Sequence, residues 1–284
     1  MKITYTLLLV SVLGFFASAY AEVEQFENLI YAKYGDRELT LDLYKPKGST
    51  EPLPAIVCIH GGGWRTGTKE NFGRFARAFA EDNYIAVSIN YRLSEEAPFP
   101  AHIMDCKAAV RWLRANAEKY GVDPDRIGAT GHSAGGHLAA LLATSAGVEA
   151  LEGDGGNAGF SSAIQVAVPM GAQSDLETDR IRSMTAQSGA DIWHKFLNGP
   201  LDGNLELYQL ASPRRHLDPS DPPMMFITGD KDNLDTRAVP IRGDMQRMNI
   251  ASGLLVIPGA GHGFLSQKGE KWWSEMAMSA TTCF

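Results

Sequence analysis

The chain has 284 residues, of which 44% are hydrophobic and 21% are charged, and its formal net charge at pH 7 is -7. This is an ordinary globular composition that can build one large core or two small ones. The acidic balance and the lack of a long basic run argue against nucleic acid or anionic lipid as a partner.

The first 21 residues, MKITYTLLLVSVLGFFASAYA, have the pattern of a secretory signal peptide. Lys2 precedes an apolar run from Leu7 to Phe16, and small residues at Ala19 and Ala21 stand where a signal peptidase would cut. The run is short for a membrane span, and an uncleaved N-terminal anchor is the alternative. We expect a mature chain of residues 22–284 that is secreted or periplasmic and has no integral membrane association.

The rest of the chain alternates between strand and helix patterns. ELTLDLY alternates apolar and polar residues, whereas six other strand-like segments are uniformly apolar, as in strands covered on both faces. The predicted strands are 38–44, 55–59, 84–89, 126–130, 163–168, 224–228 and 254–257. The predicted helices are 71–82, 103–120, 135–144, 236–248 and 270–280. This alternation predicts one α/β domain with a doubly wound, mostly parallel sheet, entered through an antiparallel N-terminal strand or hairpin.

Only three cysteines are present, Cys58, Cys106 and Cys283. Cys58 lies in the strand-like AIVCI and Cys106 on the apolar side of a helical pattern, so both are predicted to be small core residues. An odd number without regular spacing predicts neither a disulfide framework nor a metal site.

Glycines crowd the junction between a predicted strand and a predicted helix, in ATGHSAGGHLAALLA at 129–143. Gly131-His132-Ser133-Ala134-Gly135 fits the G-x-S-x-G nucleophile elbow, in which a serine occupies a strained turn between a strand and a helix. A glycine-rich helix start that cradles a phosphate is the alternative. The strand before the motif and the helix after it favour Ser133 as a nucleophile.

A serine hydroxyl needs a base to take its proton and a carboxylate to orient that base. His262 follows a predicted strand, in IPGAGHGF, and the chain order serine, acid, histidine fits this kind of site. Asp230, Asp232 and Asp235 compete for the acid in GDKDNLD, and Asp232 is favoured because it stands three residues after Gly229. A calcium loop is the other interpretation, but the spacing misses the EF-hand pattern.

The HGGGW segment, residues 60–64, directly follows the predicted strand AIVCI. Acyl transfer needs donors for the charge that develops on the carbonyl oxygen, and the backbone amides of Gly62, Gly63 and Ala134 can supply them. A flexible loop without function is the alternative. Trp64 is a candidate to stack on an aromatic acyl group or a sugar ring, as is Trp193, although both could instead pack against the body of the protein.

Several segments resemble the exported carboxylesterases of the α/β-hydrolase superfamily, close to the hormone-sensitive-lipase branch and to acetyl and feruloyl esterases. They are HGGGW, YRLS, APFPAHIMDCKAAVRWL, DPDRIGATGHSAGGHLAALLA, LEGDGGNAGFSSAIQVAV, ASPRRHL, PPMMFITGDKD and GAGHGF. The match runs from about residue 26 to the C-terminus and implies the α/β-hydrolase fold. It also implies a catalytic triad at Ser133, Asp232 and His262, an oxyanion hole at the same three amides, and a structural role for Asp105.

Two departures from this family pattern bear on the site. Relatives usually have histidine-glycine before the acid and valine-proline after it, where this chain has Thr228-Gly229 and Leu234-Asp235, which leaves the choice among the aspartates open. Residues 174–212 match least well, and we expect this segment to cover the acyl pocket.

Together these features predict a serine esterase that needs no metal or cofactor. The expected partner is a small-molecule or polysaccharide ester with a short or aromatic acyl group. An amidase or peptidase of the same fold is the alternative within enzymes, and a non-catalytic hydrolase-fold binding module is the alternative outside them. A homodimer is left open.

Overall fold

The computed structural model describes residues 21–187, 189 and 191–267. The predicted signal peptide up to residue 20, the predicted helix over 270–280 and Cys283 therefore lie outside the described residues. Among those described, no helix combines the length and apolarity that a membrane crossing requires.

Eight strands form one sheet. They are β1 (Val23–Tyr34), β2 (Arg37–Pro46), β3 (Leu53–Ile59), β4 (Ile85–Ile89), β5 (Val122–His132), β6 (Val166–Met170), β7 (Met224–Gly229) and β8 (Ser252–Ile257). Their order across the sheet is β1-β2-β4-β3-β5-β6-β7-β8. β2 is antiparallel to β1 and β4, and every later pair is parallel. The mostly parallel α/β sheet with an antiparallel N-terminal hairpin is therefore confirmed.

The connections between the strands are mostly helical. The helices are α1 (Glu70–Glu81), α2 (Ala101–Ala115), α3 (Ala117–Tyr120), α4 (Ala134–Thr144), α5 (Glu149–Glu152), α6 (Asp179–Thr185), α7 (Asp191–Leu197), α8 (Leu205–Ala211), α9 (Leu234–Arg237), α10 (Val239–Arg247) and α11 (Phe264–Gln267), with a short 3₁₀ helix at Pro213–His216. Residues 174–212, which match the family pattern least well, contain α6, α7 and α8.

Apolar side chains cover both faces of the sheet, because successive residues of a strand point to opposite sides. In β3, Val57 faces a large core with α2 and α4, whereas Cys58 faces a smaller core with α1. Cys58 and Cys106 are both buried and free, which confirms their prediction as core residues.

Two predicted helices are interrupted in the structure. The pattern over 103–120 forms α2 and α3, because Asn116 leaves the helical conformation and its side-chain amide donates to the carbonyl of Trp112 at 2.9 Å. The pattern over 236–248 forms α9 and α10, which separate at Ala238 just before Pro240. A proline lacks the N–H that would continue the first helix, and its ring clashes with the preceding turn.

The strand predicted at 163–168 begins later, at Val166. Gln165 lies outside the strand, and its side-chain oxygen accepts the N–H of Ile127 at 2.9 Å.

Candidate active site

Ser133 occupies a sharp turn between β5, which ends at His132, and α4, which begins at Ala134. Its backbone has φ 60° and ψ -119°, a region that costs a non-glycine residue about 1–3 kcal/mol. The turn is held from both sides, because the Ser133 N–H donates to the carbonyl of Met170 at 2.8 Å and its carbonyl accepts the N–H of His137 at 2.9 Å. The serine hydroxyl is thus presented at the end of the sheet.

The surrounding glycines are required by the close approach of three backbones. A Cβ atom at Gly135 would lie 2.1 Å from the carbonyl oxygen of Ile59, and one at Gly131 would lie 2.5 Å from the same oxygen. At Gly136 it would lie 2.3 Å from the carbonyl oxygen of Met170. Any side chain at these positions would push α4 away from β3 and β6.

The structure brings Ser133, His262 and Asp232 together in one hydrogen-bonded chain. The Oγ atom of Ser133 is 2.8 Å from Nε2 of His262, and Nδ1 of His262 is 2.8 Å from Oδ2 of Asp232. With Nδ1 protonated and donating to the carboxylate, Nε2 is left to accept the serine proton. The His262 side chain is 43% exposed and the Asp232 side chain 5%, so the imidazole can reach solvent while the carboxylate is buried.

The other two aspartates of GDKDNLD lie elsewhere. Asp230 is exposed, and its Oδ2 accepts the N–H of Gly259 at 2.9 Å at the start of the histidine loop. Asp235 is exposed on α9. Among the carboxylates of the described residues, only that of Asp232 contacts His262.

Two further residues touch this chain and were not predicted from the sequence. Arg237 donates from Nε to Oδ1 of Asp232 at 2.8 Å and to its backbone carbonyl at 2.7 Å. The Nε2 atom of His132 is 2.8 Å from the carbonyl oxygen of His262. Burial and the nearby His262 lower the pKa of His132 to about 4, so His132 is neutral at pH 7 and donates to that carbonyl.

The glycine loop after β3 lies beside the serine. A Cβ atom at Gly61 would lie 3.4 Å from Cβ of Ser133, and Gly62 and Gly63 have φ angles of 114° and 59°. Within the part of the chain that the structure describes, the amides of Gly62, Gly63 and Ala134 donate to no backbone carbonyl. Ala134 begins α4, where N–H groups have no partner within the helix. All three amides are thus available for a ligand.

Trp64 follows these glycines, and its side chain is buried in an aromatic cluster. It stacks on Phe196 with ring centroids 4.1 Å apart, lies 5.3 Å from the ring of Trp193, and donates from Nε1 to Nδ1 of His137 at 3.3 Å. Only 4% of Trp64 is exposed. The structure therefore favours packing over substrate stacking for Trp64, and Trp193 is buried in the same cluster.

An apolar side chain of α7 covers the glycine loop. Ile192 is 43% exposed, and its Cδ1 would lie 3.4 Å from a Cβ atom at Gly63. Phe196, one turn further along α7, accepts the N–H of Phe99 at 3.0 Å through its carbonyl and thereby ties the helix to the body. Ile192 is thus an apolar wall beside Gly63 in the glycine loop.

Asp105, on α2, is fully buried and forms an ion pair with Arg92. Its carboxylate accepts from the backbone N–H of Arg92 at 2.8 Å and from Nη2 at 2.8 Å. This pair ties α2 to the segment after β4, consistent with a structural role. Among the described residues, no group of three or more histidine, cysteine or acidic side chains is arranged to hold a metal ion.

Comparison with known proteins agrees with the fold. Residues 41–241 match the BD-FAE family. Esterase LipC of Mycobacterium tuberculosis (strain ATCC 25618 / H37Rv) is 30% identical over 242 residues, which are 81% of this chain and 58% of LipC. The chain therefore spans little more than half the length of this curated relative.

Two solved structures match over almost the whole length of both chains. One described as a truncated form of a carbohydrate esterase from gut microbiota is 27% identical, with a TM-score of 0.73, and covers 94% of this chain and 98% of its own. Esterase Est2 of the Planctomycetes species Thermogutta terrifontis, with propionate bound, is 27% identical, with a TM-score of 0.72 and 94% of each chain covered. The fold is that of the α/β-hydrolase esterases near the hormone-sensitive-lipase branch. The chain belongs to the BD-FAE family.

Proposed function

We propose that the chain is a serine carboxylesterase in which Ser133 is the nucleophile, His262 the general base and acid, and Asp232 the residue that orients the imidazole. The observation that carries this proposal is the hydrogen-bonded chain from Ser133 through His262 to Asp232, with both links at 2.8 Å. Support comes from esterase relatives. Structures of Thermogutta terrifontis esterase 2 are described as phosphorylated by paraoxon and phosphonylated by sarin.

In the proposed first half-reaction, Oγ of Ser133 bonds to the ester carbonyl carbon while its proton passes to Nε2 of His262. The amides of Gly62, Gly63 and Ala134 stabilise the resulting oxyanion. The carbon–oxygen bond to the alcohol then breaks, and the leaving oxygen takes the proton from Nε2. An acyl group remains on the serine.

In the second half-reaction a water molecule attacks the acyl carbon and gives its proton to Nε2. The bond to Ser133 breaks, and its oxygen recovers that proton. The carboxylic acid leaves, and the starting site is restored without a metal or cofactor.

The test of this mechanism is Ser133→Ala with p-nitrophenyl acetate as substrate. Turnover should fall by roughly six orders of magnitude because no nucleophile remains, whereas the exposed Ser220→Ala should keep its activity as a matched control. A Ser133→Ala protein that keeps more than a few per cent of the rate would contradict the mechanism. Wild-type activity on the matching nitroanilide but not on the ester would instead indicate an amidase.

For the substrate we propose a short or aromatic acyl group, with acetate or hydroxycinnamate on plant polysaccharide as the natural class. Esterase Est2 has been solved with propionate and with butyrate bound, and another structural relative is described as a carbohydrate esterase. Ile192 beside Gly63 limits the space next to the proposed oxyanion site. A small pocket gains about 1–3 kcal/mol for each added methylene until it is full, after which longer chains clash.

A chain-length profile of kcat/KM on p-nitrophenyl esters tests this specificity, with methyl ferulate and acetylated xylan beside them. We expect an optimum at acetate or butyrate, and Ile192→Ala should move the optimum towards longer acyl chains. An optimum beyond about eight carbons in the wild type, which needs a long apolar groove, would contradict the proposal.

Export is proposed from the N-terminal sequence pattern alone. Protein recovered from the native host should begin near Glu22. Mass spectrometry that finds an intact Met1 in a membrane fraction would indicate the anchor instead.

A further inference from the structure

Arg237 holds the carboxylate on the side away from the histidine. Its Nε lies 2.8 Å from Oδ1 of Asp232, while Oδ2 of the same carboxylate accepts from Nδ1 of His262 at 2.8 Å. The guanidinium also donates through Nη1 to the carbonyl of Gly171 and through Nε to that of Asp232. Only 11% of the Arg237 side chain is exposed. The two oxygens of Asp232 are therefore divided between a cation and the imidazole.

The other charges around this pair come from several elements. The anion in contact with Arg237 is Asp232 itself. His132 at the end of β5 is neutral at pH 7 because burial lowers its pKa to about 4. Burial is the main reason that the pKa of Arg237 is lowered, and the positive charge of Arg180, which is exposed on α6, also lowers it. Asp230 and Asp235 are both exposed, and Asp230 accepts the N–H of Gly259. Arg237 is thus the cation in contact with the carboxylate among the described residues.

A cation on Oδ1 has two physical consequences. It fixes the plane of the carboxylate, since a guanidinium with several donors tied to the backbone leaves little freedom of rotation. It also offsets part of the negative charge that His262 meets, which weakens the stabilisation of the imidazolium ion.

We propose that Arg237 is a positioning residue that orients Asp232 and, through its charge, extends the activity of the site towards acidic pH. This inference rests on the proposed function, because it deepens the role of the same three residues. The short turn from Asp232 to Arg237, which includes α9, brings the carboxylate and its counter-ion into contact.

The experiment compares Arg237→Gln and Arg237→Lys with the wild type over a range of pH. Arg237→Gln removes the charge, so the acid limb of kcat/KM should move to higher pH by about one unit. The same variant should lose about ten- to a hundredfold in kcat, with KM changed less than about twofold, because the carboxylate is less well held. Arg237→Lys keeps the charge but loses the fork, so kcat should fall while the acid limb stays in place.

Arg247→Gln is the matched control, since Arg247 is an exposed arginine on α10. It should match the wild type in both kcat and pH profile. An acid limb in Arg237→Gln that coincides with the wild type would overturn the proposed charge effect. If Arg237→Gln does not fold, an acid limb displaced in Arg237→Lys would overturn it equally.

Failure of the proposed function would look different. The rate at which a fluorophosphonate probe labels the serine depends on the same base but not on any particular ester. A wild-type protein that the probe does not label would refute the serine mechanism. Labelling of wild type and Arg237→Gln with identical pH dependence would refute only the role of Arg237.

Discussion

Both oxygens of the Asp232 carboxylate have partners, and the group is almost fully buried. Its backbone N–H donates to the carbonyl of Gly229 at 3.1 Å, which closes the turn after β7 and aims the side chain at His262. Asp230, two residues earlier, is exposed and accepts the N–H of Gly259, whereas Asp235, three residues later, is exposed on α9. Position along this turn, more than the presence of a carboxylate, therefore selects the residue that can orient the imidazole.

Asp232→Asn should lower turnover by roughly 10⁴-fold, because an amide nitrogen facing Nδ1 favours the wrong tautomer of His262. Asp235→Asn should remain within a few-fold of the wild type, since that side chain is exposed on α9. Asp230→Asn should have a small effect through the loop that carries His262. The measurement is kcat on p-nitrophenyl acetate. A crippled Asp235→Asn beside an active Asp232→Asn would show that the acid is assigned three positions too early.

Sequence patterns placed Ser133 and His262 at the ends of predicted strands because both lie in short motifs with a defined local backbone. The spacing from Gly229 favoured Asp232, and the structure shows the turn that this spacing forms. No pattern indicated Arg237 or His132. Arg237 is only five positions from Asp232 but is also held by Gly171, 66 positions away, and His132 bonds to His262, 130 positions away. Such contacts depend on how distant segments pack, which local spacing does not encode.

At the scale of elements, the site depends on how closely α4 approaches β3 and β6. The strained turn at Ser133 is retained because the glycines on either side let α4 lie directly against the carbonyls of Ile59 and Met170. The strain and the packing are therefore coupled. A side chain that separates the helix from the sheet should relax the turn and displace the hydroxyl.

Gly135→Ala tests this coupling. Its Cβ atom would lie 2.1 Å from the carbonyl oxygen of Ile59, so helix and strand must separate, and overpacking of this kind costs about 1–3 kcal/mol or more. We expect a lower free energy of unfolding, measured with urea. We also expect a loss of activity under conditions in which the variant is still folded. Gly159→Ala is the control, because a Cβ atom there meets nothing within 4 Å. Equal stability of the two variants would contradict the packing argument.

Apolar periodicity predicted the main strands and helices because each is long enough to show its buried face. It did not separate α2 from α3 or α9 from α10, since side-chain bonding at Asn116 and the ring of Pro240 interrupt helices whose apolar spacing continues. The helices of residues 174–212 are not among those predicted from the sequence. Their buried residues are few, because each helix has only seven residues.

At the scale of the whole molecule, parallel strands bring distant segments to one edge of the sheet. Ser133 follows β5, Asp232 follows β7 and His262 follows β8, and all three lie beyond the carboxyl ends of those strands. This is where ligands bind in open α/β sheets. The same arrangement buries other histidines beneath the site. Burial from solvent disfavours the charged form of their imidazole rings.

His102 and His137 are the clearest of these buried histidines. Burial lowers the pKa of His102 to about 3 and that of His137 to about 4. Nδ1 of His137 already accepts from Nε1 of Trp64 at 3.3 Å, and its Nε2 is 2.7 Å from the carbonyl oxygen of Ala211. A proton added to Nδ1 would oppose the tryptophan donor. His60, whose pKa burial lowers to about 4, stacks on Tyr91 nearby.

The pH dependence of folding stability follows from these histidines. Their pKa values are lower in the folded chain than the ordinary value of about 6.5, so the unfolded chain binds more protons below that pH. Their contribution is complete above about pH 6.5 and is lost as the pH falls towards 4, by about 1.4 kcal/mol per pH unit for each histidine. Urea unfolding at pH 7.5, 6 and 5 measures this slope.

His137→Asn provides the matched comparison for that slope. The variant should be less stable than the wild type at pH 7.5, because the packing and one hydrogen bond are lost. Its stability should fall less steeply between pH 6 and 5, because the difference in bound protons between the unfolded and folded chains is smaller by about one. Carboxylates with lowered pKa values, such as Glu70 at about 2, titrate below this window and do not contribute to it. Wild-type stability that is flat from pH 7.5 to 5, or equal slopes in the two proteins, would contradict the proposal that burial of neutral histidines makes the fold sensitive to acid.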